Sequence, residues 1–379
     1  MSSFPTALPT LSPAAPRLRS IDVFRGATIV AMILVNAQFS NEVSYSQLSH
    51  AAWNGWTFAD AIFPCFLFIV GVSCTLSIAA RMAREENRSR VIWHALQRAL
   101  LMFGCGVVID YLRIPSREFP FVGLQAHLQL TGVLQKIAVC YLVAFLIYFW
   151  TGLRGVVLAI IGLNLLQLGL LYFYPVPGCG SGSLSVSCNF PNYVDEVVLD
   201  GFRWNNTAFD PDGLGSILPA VTSVLFGLLA GKLLLTDHRW WPRFLYLLGA
   251  GLILMAAGEL LSTWVPINKQ LWTTSFAVFM AGLAATGLAF SIWLVDGRPW
   301  QGWLKPLEIF GLNAIAAYLI SRLIANMPRV NVMGKSLYTD VFARLASPSN
   351  ASLMFAMFVL AAVYLAVWLM HRRGWHLKI

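Results

Sequence analysis

An all-α polytopic integral membrane protein, a single bundle of about 10 transmembrane helices with both termini cytoplasmic, is the fold class this sequence predicts. Three observations predict it. Hydrophobic residues fill 58% of the 379 positions and charged residues only 11%, against roughly 25% charged usage in soluble domains. Mostly apolar stretches of about 20 residues, the length a helix needs to cross the hydrocarbon core, recur along the whole chain. The Lys and Arg residues fall between those stretches rather than along one amphipathic face, so the formal charge of +9 sets topology and is not a nucleic-acid footprint.

Taken in order, residues 1–16 are rich in Ser, Thr, Ala and Pro and read as a disordered cytoplasmic tail, not a signal peptide. Residues 17–379 read as one membrane domain without internal repeats or inverted symmetry. Spans are expected at 20–40, 56–80, 91–110, 128–150, 155–175, 214–235, 243–262, 271–294, 305–325 and 353–371. The loops and tails on the N-terminal side of these spans hold 15 Lys and Arg residues and those on the far side 7, which places both termini in the cytoplasm by the positive-inside rule. The same assignment puts the longest loop, 176–213, outside, together with Cys179 and Cys188. A disulfide between them on that oxidising side would stabilise the loop by roughly 2–3 kcal/mol; a pair of free thiols is the other reading. Cys65, Cys74, Cys105 and Cys140 fall in apolar segments as small buried hydrophobes.

A charge at the bilayer centre costs at least about 2.5–3.5 kcal/mol, so each intramembrane polar group is a functional candidate. On the first helix Asp22, Arg25 and Asn36 share one face, with Arg25 and Asn36 only about 20° apart and separated by a stripe about 16 Å long. Asp22 and Arg25 also read as a simple ion pair, and Asn36 as an interhelical bond. His94 and Arg98, Gln135 and Lys136, Glu259, Asn313 and Arg322 are the other candidates. Snorkelling accounts for Glu259 and Arg322, near helix ends, better than for Arg98 and Lys136. Several cations facing a bundle interior suit an anionic, phosphate-bearing ligand.

The stretch "FSNEVSYSQLSHAAWNGWTFADAIFPCF" at 39–66 sets His50 between two spans, with Asn36 before it and Asp60 one turn into the helix after it. An imidazole beside a carboxylate is a proton acceptor, and a nearby amide can position a carbonyl or its oxyanion. A packed or hydrogen-bonded histidine is the plainer reading. Trp53 and Trp56 either exclude water or belong to an interfacial aromatic belt. The six His residues are scattered, without HExxH or paired-Cys spacing, and no metal centre is expected.

Six stretches carry a resemblance: "RLRSIDVFRGATIVAMILVN" with "HAAWNGWTFADAIFPCFLFIVG", then "GVLQKIAVCY", "FDPDGLGSI", "NKQLWTTSFAVFMAG" and "GLNAIAAYL". Together they resemble the membrane domain of heparan-alpha-glucosaminide N-acetyltransferase and its bacterial relatives. The resemblance implies transfer of the acetyl group of cytoplasmic acetyl-CoA to the amine of an amino sugar beyond the membrane. It assigns His50 as the catalytic His and Asn36 as the conserved Asn ending the first helix; Asp60, by its position one turn into the next helix, is expected to orient the imidazole. His50 is either a general base or the acceptor of an acetyl-imidazole.

Asp22, Arg25, Arg98, Gln135, Lys136 and Asn313 are then expected on the acetyl-CoA side, and Trp53, Asn54, Asp210, Asn268 and Trp272 on the acceptor side. The outer acids Asp195, Glu196, Asp200 and Asp210 are candidates to receive a cationic amine. The chain begins without the long luminal region of the animal enzyme, so a bacterial inner membrane is the expected location, and a homodimer is expected by resemblance. The rival class is a transporter for an amino sugar or its N-acetyl form, since midplane polar residues also mark transport paths.

Overall fold

The computed structural model describes residues 18–40, 42–84, 86–111, 130–199, 210–236, 239–298, 302–326, 333–335 and 337–377. The expected tail 1–16, Asp200, and Arg17, Arg113, Arg117, Arg203, Arg329 and Lys378 of the charge count lie outside the described residues. Helices follow the apolar stretches: α1 Arg19–Asn36, α2 Phe58–Met82, α3 Arg88–Tyr111, α4 Val133–Phe173, α5 Phe190–Val198, α6 Ile217–Thr236, α7 Trp240–Ser262, α8 Thr274–Val295, α9 Lys305–Leu312, α10 Ala314–Asn326 and α11 Pro348–Arg372. Among the described residues two isolated bridges, Gly55–Asn268 and Val176–Gly180, are the only β pairings.

Seven of these helices are long and apolar enough to cross a membrane, or eight if the pair Gly302–Leu312 and Ala314–Ile324 counts as one span. The chain is thus an all-helical, multi-pass membrane protein. The expected straight span 305–325 is instead bent by 74° at that pair. Asn313, in non-helical backbone, ends α9. The spans expected at 128–150 and 155–175 are recorded as the single α4, with a break at Gly152, where φ is 66°. That positive φ suits glycine, which has no Cβ to clash there. Lys136 and Gln167 stand 31 positions apart, about 46 Å along a straight helix. Yet Lys136 Nζ lies 4.8 Å from the Trp272 ring centroid and Gln167 Nε2 donates to the Trp272 carbonyl at 2.6 Å. The two halves of α4 therefore double back on each other at Gly152.

Helices α2, α6 and α8 form the buried centre, with α3, α4, α7 and α11 around them. Between hydrocarbon and helix there is little hydrophobic contrast, so close backbone packing must hold such a bundle. Glycine supplies it: a Cβ on Gly71 would strike the Val224 carbonyl, and one on Gly227 the Phe68 carbonyl, so α2 and α6 touch backbone to backbone. Gly26 of α1 and Gly311 of α9 do the same against Leu307 and Asp22. That contact holds the Asp22–Arg25 turn against the bend at Asn313.

Candidate active site

The loop after α1 is tied to the start of α2 by one carboxylate. Thr57 caps α2 in a capping box with Asp60, an arrangement that satisfies helix-end donors reciprocally. Asp60 is 1% exposed. Its Oδ2 accepts from the Ala51 and Thr57 backbone N–H groups at 3.0 and 3.1 Å and from Thr57 Oγ1 at 3.1 Å. That leaves Oδ1 facing His50 Nδ1 at 2.8 Å.

A second loop, between α7 and α8, closes on the first. Gly55 donates its N–H to the Ile267 carbonyl at 2.7 Å, and Asn268 Nδ2 donates to Asn54 Oδ1 at 3.1 Å. Asn268 Oδ1 receives the Leu271 N–H, and Trp272 takes a φ of 49°, rare for a non-glycine residue. So constrained, the loop delivers Lys269 Nζ to 3.3 Å from Asp60 Oδ1 and 3.1 Å from His50 Nδ1. Burial pushes the Lys269 ammonium below the usual lysine value, and the carboxylates of Asp60 and Asp212 pull it back up. An ammonium only donates, so one ring nitrogen cannot both accept from Lys269 and donate to Asp60. The shorter contact and the Lys269–Asp60 pairing favour Nδ1–H donating to Asp60. The Nε2 lone pair is then free.

His50 opens into a cavity of about 280 Å³ shared with Asn36, Asp110, Gln135, Asp212, Lys269 and Arg322. A second cavity of about 350 Å³ holds Arg25, Ser73, Arg98 and His376. Met32, Val133, Leu134 and Tyr318 line both, so the two spaces share a wall within the bundle. Arg25 lies in the second, donating to Ser73 Oγ at 2.7 Å and to Asp22 Oδ1 at 3.1 Å. Arg98 lies over the Tyr141 ring at 5.1 Å, and its buried Nε has no hydrogen-bond partner among the described residues. A guanidinium N–H left so in a cavity wall fits an anionic group such as a phosphate oxygen.

The structure thus brings together His50, Asn36, Asp60, Arg25, Arg98 and Gln135, the last donating to Asp110 Oδ2 at 2.9 Å. Other expected residues are placed elsewhere. Lys136 is 1% exposed and lines neither cavity; it donates to Ser216 Oγ at 2.7 Å and sits over Trp272. Its long stem threads between helices, which sequence spacing alone does not reveal. Asp22 is buried in its pair with Arg25, and Asn313 is buried beside His376. Asp210 is buried and receives Thr131 Oγ1 at 2.6 Å, so a neighbour in the same motif, Asp212, lines the chamber instead.

Asn268 and Trp272 are buried loop anchors, while Trp53 Nε1 donates to the Leu184 carbonyl and Asn54 holds Asn268. The Leu184 contact brings the loop containing the Cys179–Cys188 bond over the His50 loop. Asp195 is buried against the Gly215 N–H at 2.9 Å, and burial lifts its carboxyl to about 6. Glu196 is exposed. Lys269, Asp110, Asp212 and Tyr318 escape a reading by sequence. Lys269 reads there as one more loop charge, although it stands inside the "NKQLWTT" stretch.

Comparison with known proteins shows the family. The family described as heparan-alpha-glucosaminide N-acetyltransferase, catalytic, matches residues 17–244. The heparan-alpha-glucosaminide N-acetyltransferase of Mus musculus is 27% identical over 380 residues, covering 83% of this chain and 54% of its own length. That of Homo sapiens is 27% identical over 376 residues, covering 82% and 53%. The chain spans about half the length of these curated relatives. Both His50 and Asn36, with Asp60, Arg25, Arg98 and Gln135, fall inside the matched region, and Lys269 beyond it. The chain belongs to the family of the heparan-alpha-glucosaminide N-acetyltransferase catalytic region.

Proposed function

We propose that this chain is a transmembrane acetyltransferase that carries the acetyl group of cytoplasmic acetyl-CoA to the amine of an amino sugar at the outer face. One observation carries the proposal: two adjoining cavities, cationic at one end through Arg25 and Arg98, end at the other on a His50–Asp60–Lys269 cluster. A long, phosphate-bearing donor matches that polarity, and each cavity is near or just above the lower end of the roughly 300–1,000 Å³ of small-molecule sites. Ten passes, cytoplasmic termini and a bacterial inner membrane belong to the same proposal. They rest on the charge asymmetry, on the doubling of α4 and on the extra pass of α1.

In this reading Arg25 and Arg98 hold the donor's phosphates. Asn36 donates to the thioester carbonyl oxygen as it gains charge. His50 Nε2 takes a proton from the amine while the new N–C bond forms. The C–S bond then breaks, and His50 returns that proton to the departing sulfur. Asp60 fixes the ring through Nδ1, and Lys269 stands beside both. Asp110 and Asp212 offer carboxylate oxygens in the chamber that can accept hydrogen bonds from the amine and hydroxyls of an acceptor. Acid–base help of this kind supplies typically 10²–10⁴-fold and one oxyanion donor about 10²–10³-fold.

The test is release of free CoA from acetyl-CoA by purified protein in nanodiscs offered glucosamine. The expected result is release that depends on the amine and is lost in His50→Ala, with acetyl-CoA binding retained. Amine uptake into liposomes without acetyl-CoA, indifferent to His50→Ala, would instead establish the transporter reading.

A further inference from the structure

Beside the His50 chamber lies a larger, more apolar space that the transfer chemistry leaves unused. It has a volume of about 500 Å³ and runs between the end of α1, α10 and α11. Ile33, Phe39, Ile324, Leu337, Phe355 and Val359 form its walls. Met333 and Phe358 at its edge are 71% and 51% exposed at the surface of the bundle. Asn36 and Arg322 line this space and the His50 chamber alike, so the two are contiguous.

Arg322 decides what kind of occupant fits. Its Nε is buried without a hydrogen-bond partner among the described residues although Asp212 of the chamber lies within electrostatic reach, and the exposed Lys335 stands at the rim. A guanidinium N–H left unbonded in an apolar wall is costly beside a purely apolar partner, such as a helix of a second copy, and is satisfied by an anion. Hydrocarbon for the walls and an anion for Arg322 describe one molecule, an anionic lipid. Its headgroup would enter the chamber past Asn36.

We infer that the acceptor is amphiphilic: an amino sugar carried on a phosphate-containing lipid. Its hydrocarbon chain lies in the apolar space, its phosphate on Arg322 and its amine at His50. This rests on the acetyl-transfer proposal and names the acceptor class for it. The chemistry is unchanged: the amine N–C bond forms, the thioester C–S bond breaks, and the amine proton leaves on the sulfur.

The experiment compares two acceptors with the same headgroup, glucosamine 1-phosphate esterified with a long alkyl chain or with methyl, on the full chain in nanodiscs with acetyl-CoA. The expected kcat/KM for the alkyl ester exceeds that for the methyl ester by at least about 100-fold, in line with burial of many methylene groups. Partition into the bilayer also raises that ratio, so variants carry the decision. Val359→Trp, which fills the space, and Met333→Trp, at the exposed rim, should each lower the ratio about ten-fold. A misfolded variant lowers both rates together, and the ratio removes that effect. Arg322→Gln should weaken the alkyl phosphate more than an uncharged alkyl glucosaminide. Equal rates for the two esters, or a ratio untouched by both tryptophans, would overturn the inference and leave acetyl transfer standing. Acetylation of glucosamine but of neither ester would overturn the inference alone, and acetylation of none of the three would overturn both.

Discussion

At the scale of single residues, two intramembrane cations with similar sequence credentials have different work. Arg98 lines the cavity with an unsatisfied Nε, whereas Lys136 is spent on Ser216 and the Trp272 ring. Arg98→Gln is therefore expected to weaken acetyl-CoA binding with little change in melting temperature. Lys136→Met should do the reverse, because it removes the buried bond to Ser216 Oγ and the contact with the Trp272 ring, a loss of about 1–3 kcal/mol. Calorimetric titration and thermal melting of each variant check this. Lys269 gives a test of positioning. Lys269→Met removes the cation beside Asp60 and His50 and is expected to lower kcat with little change in KM, while Lys269→Arg retains most of the rate; steady-state kinetics check this. His50, Asn36 and Asp60 were legible because motif, helical phase and capping position coincide in a short stretch. Lys269 was not, because its approach depends on the Gly55–Ile267 and Asn54–Asn268 bonds between loops more than 200 residues apart.

At the scale of elements, apolar length located the helices and left their shape open. The reversal of α4 at Gly152 was legible, since the two expected spans meet at 151–154, whereas composition cannot show that the α9–α10 pair bends by 74°, which depends on which neighbours the helix meets. Close packing makes one prediction: Gly71→Val drives a side chain into the Val224 carbonyl and is expected to abolish recovery of folded protein by size-exclusion chromatography. Gly249, with open space around it, tolerates Ala. A second prediction concerns α5, which Asp195 joins to the turn before α6. Its carboxyl is raised from 3.8 to about 6, so the folded state holds a proton that the unfolded chain has lost. Where the native state binds more protons, stability falls as pH rises. Its contribution is full below about pH 4 and lost progressively up to about pH 6. Melting temperature against pH should flatten across that window in Asp195→Asn.

At the scale of the whole molecule, the polar groups form a gradient through the bundle: Arg25 and Arg98 with His376 at one end, Met32 and Tyr318 at the shared wall, and His50 under the disulfide loop at the other. The stripe on α1 made that direction legible, since Arg25 and Asn36 mark its two ends. The acceptor residues were less legible, because Asp210 and Asp212 differ only in which one the turn before α6 buries. The central claim is transfer across the membrane, and sided proteoliposomes test it most directly. The protein is reconstituted in one orientation, with labelled acetyl-CoA at the cytoplasmic face alone and an amino-sugar acceptor at the opposite face alone. The account predicts labelled N-acetyl product on the acceptor side, absent in His50→Ala. Product formed only when both substrates share one face would contradict it.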